Sequence, residues 1–310
     1  MRDKDVLQKG LTEEDSAGRT RRPRPFASLA YTQYRSLWIG TFLTFAAQQM
    51  TIVARPWLAF EITGSALALG LVALAQGLPM FFIAPLAGVA ADRLSKRTVL
   101  LVSQIAMLTM AVAMAVVVYL EIVEMWHLVA LALVHGFSMP FNMPVRQAYV
   151  PILLPRSLVP NGVGLQSAGR NMNQVVAPSV VGILLGFDPF IAFAAIVALH
   201  LFSIATSLTF PAAKPTDREG RGARAELIFG FRYILTSPLH RLLFGMLLLT
   251  IILGLPYMQL LPVFQEVLKV GPELLGFMYA SMGFGGLIGS LLVASFLQLA
   301  RGFPQFAFGV

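Results

Sequence analysis

The chain has 310 residues, of which 57% are hydrophobic and 12% charged, with a formal net charge of +8 and a mean hydropathy of +0.74. An ordinary soluble domain is roughly 45–50% apolar and about 25% charged, so too little polar surface is present to cover a water-soluble globule, and disordered or collagen-like chains are excluded too. The absence of Cys removes disulfides, thiolate metal sites and a cysteine nucleophile. Residues 1–36 are polar and basic and read as a cytosolic tail, with a short interfacial stretch at Phe26–Tyr34 and no secretory cleavage pattern. Apolar runs follow at 37–58, 66–90, 98–120, 126–147, 162–186, 189–210, 241–262 and 273–298, and a ninth begins near 303. Each approaches the ~20 residues that cross a bilayer as a helix. Continuous apolar runs, rather than short alternating ones, make them helices, which satisfy their own backbone groups in lipid.

The basic residues sit where topology signals belong. All 23 Lys and Arg except Arg55 and Lys269 lie before the first run or around the second, fourth, sixth and eighth connections. Glu61, Glu121, Glu124, Asp188, Glu266 and Glu273 fall on the opposite side. This alternation predicts a cytosolic N-terminus and explains the net charge without nucleic acid.

The sequence also repeats. Moved by about 206 residues, Pro56, Gly70 and Gly77 fall on Pro262, Gly276 and Gly283. Parallel six-helix repeats are a transporter architecture. The expected division is a tail over 1–36, a six-helix bundle over 37–210, a cytosolic linker over 211–240 and an incomplete second bundle over 241–310, with a full second half ending near residue 416 and about 8.5 of twelve helices present.

After the second run the sequence reads Gly88-Val-Ala-Ala-Asp92-Arg93-Leu-Ser-Lys96-Arg97. Here the chain resembles the major facilitator superfamily, whose signature between helices 2 and 3 is close to G-x-x-x-D-R-x-G-R-R; Ser95 replaces the second Gly. The resemblance implies an all-α membrane protein with 6 + 6 helices and makes Gly88, Asp92, Arg93, Lys96 and Arg97 an inner gate. Arg146, at the inner end of the fourth helix, is expected either to pair with Asp92 or to snorkel to the interface. The stretches Pro144-Val-Arg146-Gln147-Ala, Leu154-Pro155-Arg156 and Pro160-Asn161 resemble the branch that holds the enterobactin exporter and macrolide-efflux-like proteins, transmembrane secretion effectors. In helix 5, Ala177-Pro178-Ser-Val-Val181-Gly182 partly matches an exporter motif through Pro178 and Gly182, and a Pro inside a membrane helix allows bending between states.

Polar side chains inside spans mark either a substrate path or interhelical hydrogen bonds. The candidates are Gln48, Gln49, Gln76, Asn142, Asn171, Asn173, Gln174 and Gln259. Arg55, beside Pro56, either snorkels toward Glu61 or meets substrate. Gly285 and Gly289 form a small-xxx-small face expected to pack against another helix. No P-loop, G-x-S-x-G or metal-ligand spacing of His occurs, so neither enzyme, cofactor nor metal is expected.

By resemblance, the expected function is secondary transport by alternating access in a prokaryotic cytoplasmic membrane. It would export an amphipathic small molecule of drug or siderophore type, proton-coupled, as a monomer when complete. An importer, or a non-transporting or lipid-handling membrane protein, are the alternatives. The last predicts acids or His clustered near one interface, and the sequence has none.

Overall fold

The computed structural model describes residues 26–211, 233, 236–249 and 256–300; side chains at 85, 88–93, 247, 256–257 and 290–300 are outside the description. Six long helices come first: α1 (Thr32–Thr63), α2 (Ala66–Arg93), α3 (Lys96–Tyr119), α4 (Met125–Leu153), α5 (Val159–Phe187) and α6 (Pro189–Ser207). Then come α7 (Pro238–Leu249), α8 (Pro256–Gln259), α9 (Leu261–Leu268) and α10 (Pro272–Ala300). The run expected at 241–262 is distributed over α7, α8 and the start of α9, with 250–255 outside the described residues. Five helices among the described residues are long and apolar enough to cross a membrane: α1, the Ala66–Ala84 part of α2, α3, α4 and α6. Helix α5 has 29 residues, ample length, but carries Gln166, Arg170, Asn171, Asn173 and Gln174.

Turn chemistry sets the ends. Gly64 takes the left-handed conformation (φ 59°) that stops α1. The Ser95 hydroxyl accepts from the Thr98 N–H at the start of α3, and the Asp188 carboxylate accepts from the Phe190 N–H at 2.7 Å before α6, where Pro189 occupies the first turn. Connections this short make neighbouring helices antiparallel. One end of the bundle therefore gathers the starts of α1, α3 and α5 with the ends of α2, α4 and α6. There Tyr34 donates to the Gly162 carbonyl at 2.6 Å, and Ser28 donates to Asn161 Oδ1 at the same distance. Helix α1 thus begins five residues before the hydropathy pattern places it. Tyr34 is buried, and its polar group is satisfied by α5, which hydropathy alone does not register.

Helix α1 packs against α4, α5 and α6; α3 against α4 and α6; α2 against α4; and α10 against α5. Exposed apolar residues on α2 recur at Leu67, Leu71, Leu74, Leu78 and Phe81, a single stripe at helical spacing. In water such a stripe would drive association; against acyl chains it is the ordinary outer surface. Lipid offers no hydrophobic gain for helix contact, so close approach has to supply it. Gly136 on α4 lies so near α2 that a Cβ there would overlap the Gln76 carbonyl oxygen. Gly182 on α5 meets Gly276 on α10, where an added Cβ would stand 2.8 Å from the Gly276 Cα and 2.7 Å from the Pro272 oxygen. Gly285 and Gly289, by contrast, meet nothing among the described residues. The packing face expected there belongs to Gly276 and Gly283, one helical face away.

Gly136→Ala should therefore lower stability by about 1–3 kcal/mol, because a backbone atom rather than a flexible side chain must yield. Gly70→Ala, where the space is open, should be neutral. Thermal unfolding of both variants in detergent checks the contrast.

Candidate functional site

Two apolar cores stack along the first six helices. One contains Met50, Trp57, Leu128, Leu185 and Phe193, the other Tyr34, Leu37, Leu100, Tyr149 and Phe210. Between them lies a polar layer centred on Arg146, which is 1% exposed. Its Nε donates to Asn142 Oδ1 at 2.8 Å, Nη1 to Thr41 Oγ1 at 3.2 Å, and Nη2 to Thr44 Oγ1 at 2.8 Å and Ser203 Oγ at 3.0 Å. The Ser203 hydroxyl donates to the Gly40 carbonyl at 2.8 Å and accepts from Gln104 Nε2 at 2.9 Å. One guanidinium thus joins α1, α4 and α6, and Ser203 carries the network to α3. All four of these Arg146 partners are neutral. The Asp92 side chain, its expected partner, lies outside the described residues.

The rest of the gate motif divides in the same way. Gly88, Asp92 and Arg93 occupy the last turns of α2, with side-chain surroundings outside the description. Lys96 and Arg97 open α3. Basic residues at a helix start oppose the helix dipole, so they are not there to stabilise α3. Arg97 Nη2 instead donates to the Leu208 carbonyl at 2.8 Å, where a cation complements the C-terminal end of α6.

The intramembrane amides separate into two groups. Gln48, Asn142 and Asn173 are buried and line neither of the two larger cavities described below. Asn142 serves Arg146, and Asn173 Nδ2 donates to the Phe42 carbonyl at 3.0 Å, tying α5 to α1. Gln49 and Gln174 line a cavity of about 260 Å³ between α1, α5 and α10, closed by Met258, Tyr279 and Gly283. Arg55, Gln76 and Gln259 line a second cavity of about 180 Å³ between α1, α2 and α8. Ile52 and Met258 border both, so the two form one cleft between the first six helices and the segments that follow. Pro178 lines it as well, while Gly182 lies one turn further along α5 in the contact with α10.

Arg55 does not snorkel toward Glu61. It is 5% exposed and turned inward, with Nη1 donating to Gln76 Oε1 at 3.0 Å and Nη2 lying 3.4 Å from His135 Nδ1. Beyond it, Thr51, Met110, His135 and His200 border a small cavity of about 30 Å³. Sequence reasoning gave neither His135 nor His200 a functional role. Their separation by a whole helix conceals that both line one small cavity with Arg55. Among the described residues no group of three His, Asp or Glu is placed to hold a metal ion.

If the Arg146 cage holds the layer together, Arg146→Leu should cost about 2–4 kcal/mol, through the orphaned Asn142 carbonyl and lost packing. Ser203→Ala should cost about 1 kcal/mol. Their double mutant should lose less than the sum. Unfolding of the three variants in detergent measures the coupling.

The transmembrane secretion effector family matches residues 23–301 of the chain. The multidrug efflux pump Tap of Mycolicibacterium fortuitum is 26% identical over 257 residues, 79% of this chain and 63% of Tap. The enterobactin exporter EntS of Shigella boydii is 24% identical over 272 residues, 86% of this chain and 64% of EntS. Among solved structures, a bacterial homologue of the human lysosomal transporter Spinster, inward-facing and unoccupied, superimposes with a TM-score of 0.66 at 16% identity, over 90% of this chain and 64% of that one. The chain spans under two thirds of each of these proteins. With helices long and apolar enough to cross a bilayer and the family matched along most of its length, the chain is an integral membrane protein that belongs to the transmembrane secretion effector family of the major facilitator transporters.

Proposed function

We propose that this chain forms the substrate-binding part of a secondary active exporter of amphipathic small molecules, of drug or siderophore type, working by alternating access with proton antiport. The observation that carries this reading is the cleft beside α1. It combines apolar walls (Ile52, Val53, Met258, Met282) with the amides Gln49, Gln174 and Gln259 and the cation Arg55. That is the lining expected of a site for a molecule part greasy and part polar. The names of Tap and EntS, an efflux pump and an exporter, support export over import.

The basic end of the bundle is taken as cytosolic, in a prokaryotic plasma membrane, and the functional unit as a monomer that binds no nucleic acid. The division into a tail (1–36), a first bundle (37–210), a linker (211–240) and the start of a second bundle (241–310) follows from the repeat. Gly88, Asp92, Arg93, Lys96 and Arg97 act as the gate at the cytosolic end. At the opposite end, Pro178 and Gly182 of α5 meet Gly276 of α10 across the seam between bundles. Closure of that seam shuts the outer side of the cleft, and the two gates alternate.

The full-length protein, reconstituted in vesicles, should accumulate drugs and siderophores only under a pH gradient; accumulation independent of the gradient removes proton antiport. Gly182→Leu holds the seam apart and Asp92→Asn weakens the inner gate. Each should cut accumulation by about tenfold, an effect of some 1.4 kcal/mol on the transport cycle. Wild-type rates in Asp92→Asn would remove the gating role, and accumulation of substrate in the reverse sense would make the protein an importer.

A further inference from the structure

The two arginines buried in the first bundle are treated differently. Arg146 lies in a cage of four neutral oxygen acceptors and lines neither part of the cleft. Arg55 has Gln76 Oε1 at 3.0 Å and, more distantly, the His135 ring nitrogen at 3.4 Å. It stands in the wall of the 180 Å³ cavity and, on its other side, of the 30 Å³ cavity. The described residues lining the cleft contribute amides, a hydroxyl from Thr51 and the Tyr279 phenol, but no carboxylate. The phenol is already committed, donating to the Met258 carbonyl at 2.6 Å. His135 and His200 add no negative charge in either protonation state.

A guanidinium held inside a membrane protein is costly unless opposite charge or several strong acceptors surround it. Arg146 has the acceptors. Arg55 has fewer, and faces open space where something else can complete its shell.

We infer that the cleft selects amphipathic molecules bearing an acidic group, such as a carboxylate, which seats on the Arg55 guanidinium while the apolar body lies against Ile52 and Met258. This rests on the reading of the cleft as the transport site. The fork of N–H donors on an arginine matches a carboxylate. A cationic amphiphile in the same place would bring like charges together where water is scarce, a juxtaposition that suppresses wrong partners. Gln76, already bonded to Arg55, and Gln259 supply the neutral contacts that orient the acid.

Two xanthene dyes that share a ring system and differ in charge test this: carboxyfluorescein, an acid, and rhodamine 6G, a cation. Binding to the full-length protein in nanodiscs is read by fluorescence anisotropy. The acidic dye should bind about tenfold more tightly. Arg55→Gln should abolish that preference by weakening the acidic dye and strengthening rhodamine 6G, and Arg55→Lys should keep part of it. Gln174→Leu, in the other half of the cleft, should weaken both dyes. Should Arg55→Gln fail to fold, the wild-type ranking decides by itself. Equal affinities, a tighter cationic dye or no binding of the acidic one overturns the inference. If Arg55→Gln moves neither dye while Gln174→Leu weakens both, acidic selectivity falls and the cleft stands. If Gln174→Leu weakens neither, the cleft itself is wrong and the inference falls with it.

Discussion

A guanidinium inside a bilayer-embedded bundle has to be wrapped in oxygen, and the first six helices are arranged around that demand. The acceptors for Arg146 come from three helices: Asn142 from its own, Thr41 and Thr44 from α1, and Ser203 from α6. Misplacing any of the three would leave a charge short of partners in a low-dielectric medium. Ser203 also donates to the Gly40 carbonyl, and at Gly40 an added Cβ would overlap the Thr206 hydroxyl and lie 3.3 Å from the arginine. The polar layer thus fixes both which helices meet and how closely. The apolar cores on either side fill the remaining space and are tolerant of shape, because oil-like side chains repack where a hydrogen-bonded charge does not.

The second set of helices attaches by another kind of contact. Its link to the first bundle is chiefly α10 against α5, where glycines at 182, 276 and 283 bring backbones together. That contact runs over about three turns of α5, from the Gln174 carbonyl against Gly283 to Gly186 against the Glu273 side chain. Gln174 and Pro178 stand at its margin and face α1 across the open volume. Glycine packing toward α10 and the cavity toward α1 thus lie on two sides of the same stretch of α5.

Much of this was legible in the sequence, and the unread part has a physical reason. Continuous apolar runs gave the long helices because a bilayer dictates their length. The gate motif pointed to the superfamily and the stretches from Pro144 to Asn161 to the branch, whose match covers residues 23–301. Helix starts were less legible: Tyr34 looks polar, yet its hydroxyl bonds to Gly162 and the ring is buried. Intramembrane amides look alike in sequence. Only three-dimensional neighbours separate Gln49, Gln174 and Gln259, which face the cleft, from Asn142 and Asn173, which serve a charge and a carbonyl. Arg55 was expected either to turn toward an acid six residues on or to meet substrate; its neighbours, Gln76 and His135, lie on two other helices. The glycines of α10 show the same limit. Spacing finds a small-residue face, but several overlap along 276–289, and the partner helix chooses which is used.

The contact between Gly182 and Gly276 is made by main-chain atoms, with no side chain reaching across at that point. One turn along α5, however, the Glu273 side chain lies against Gly186, so parting the two helices would cost dispersion at Gly182 and move a carboxylate beside it. A junction of this kind is a zip with its catch to one side: shape alone sets the approach at Gly182, while the carboxylate a turn away gives ionic strength its purchase on it.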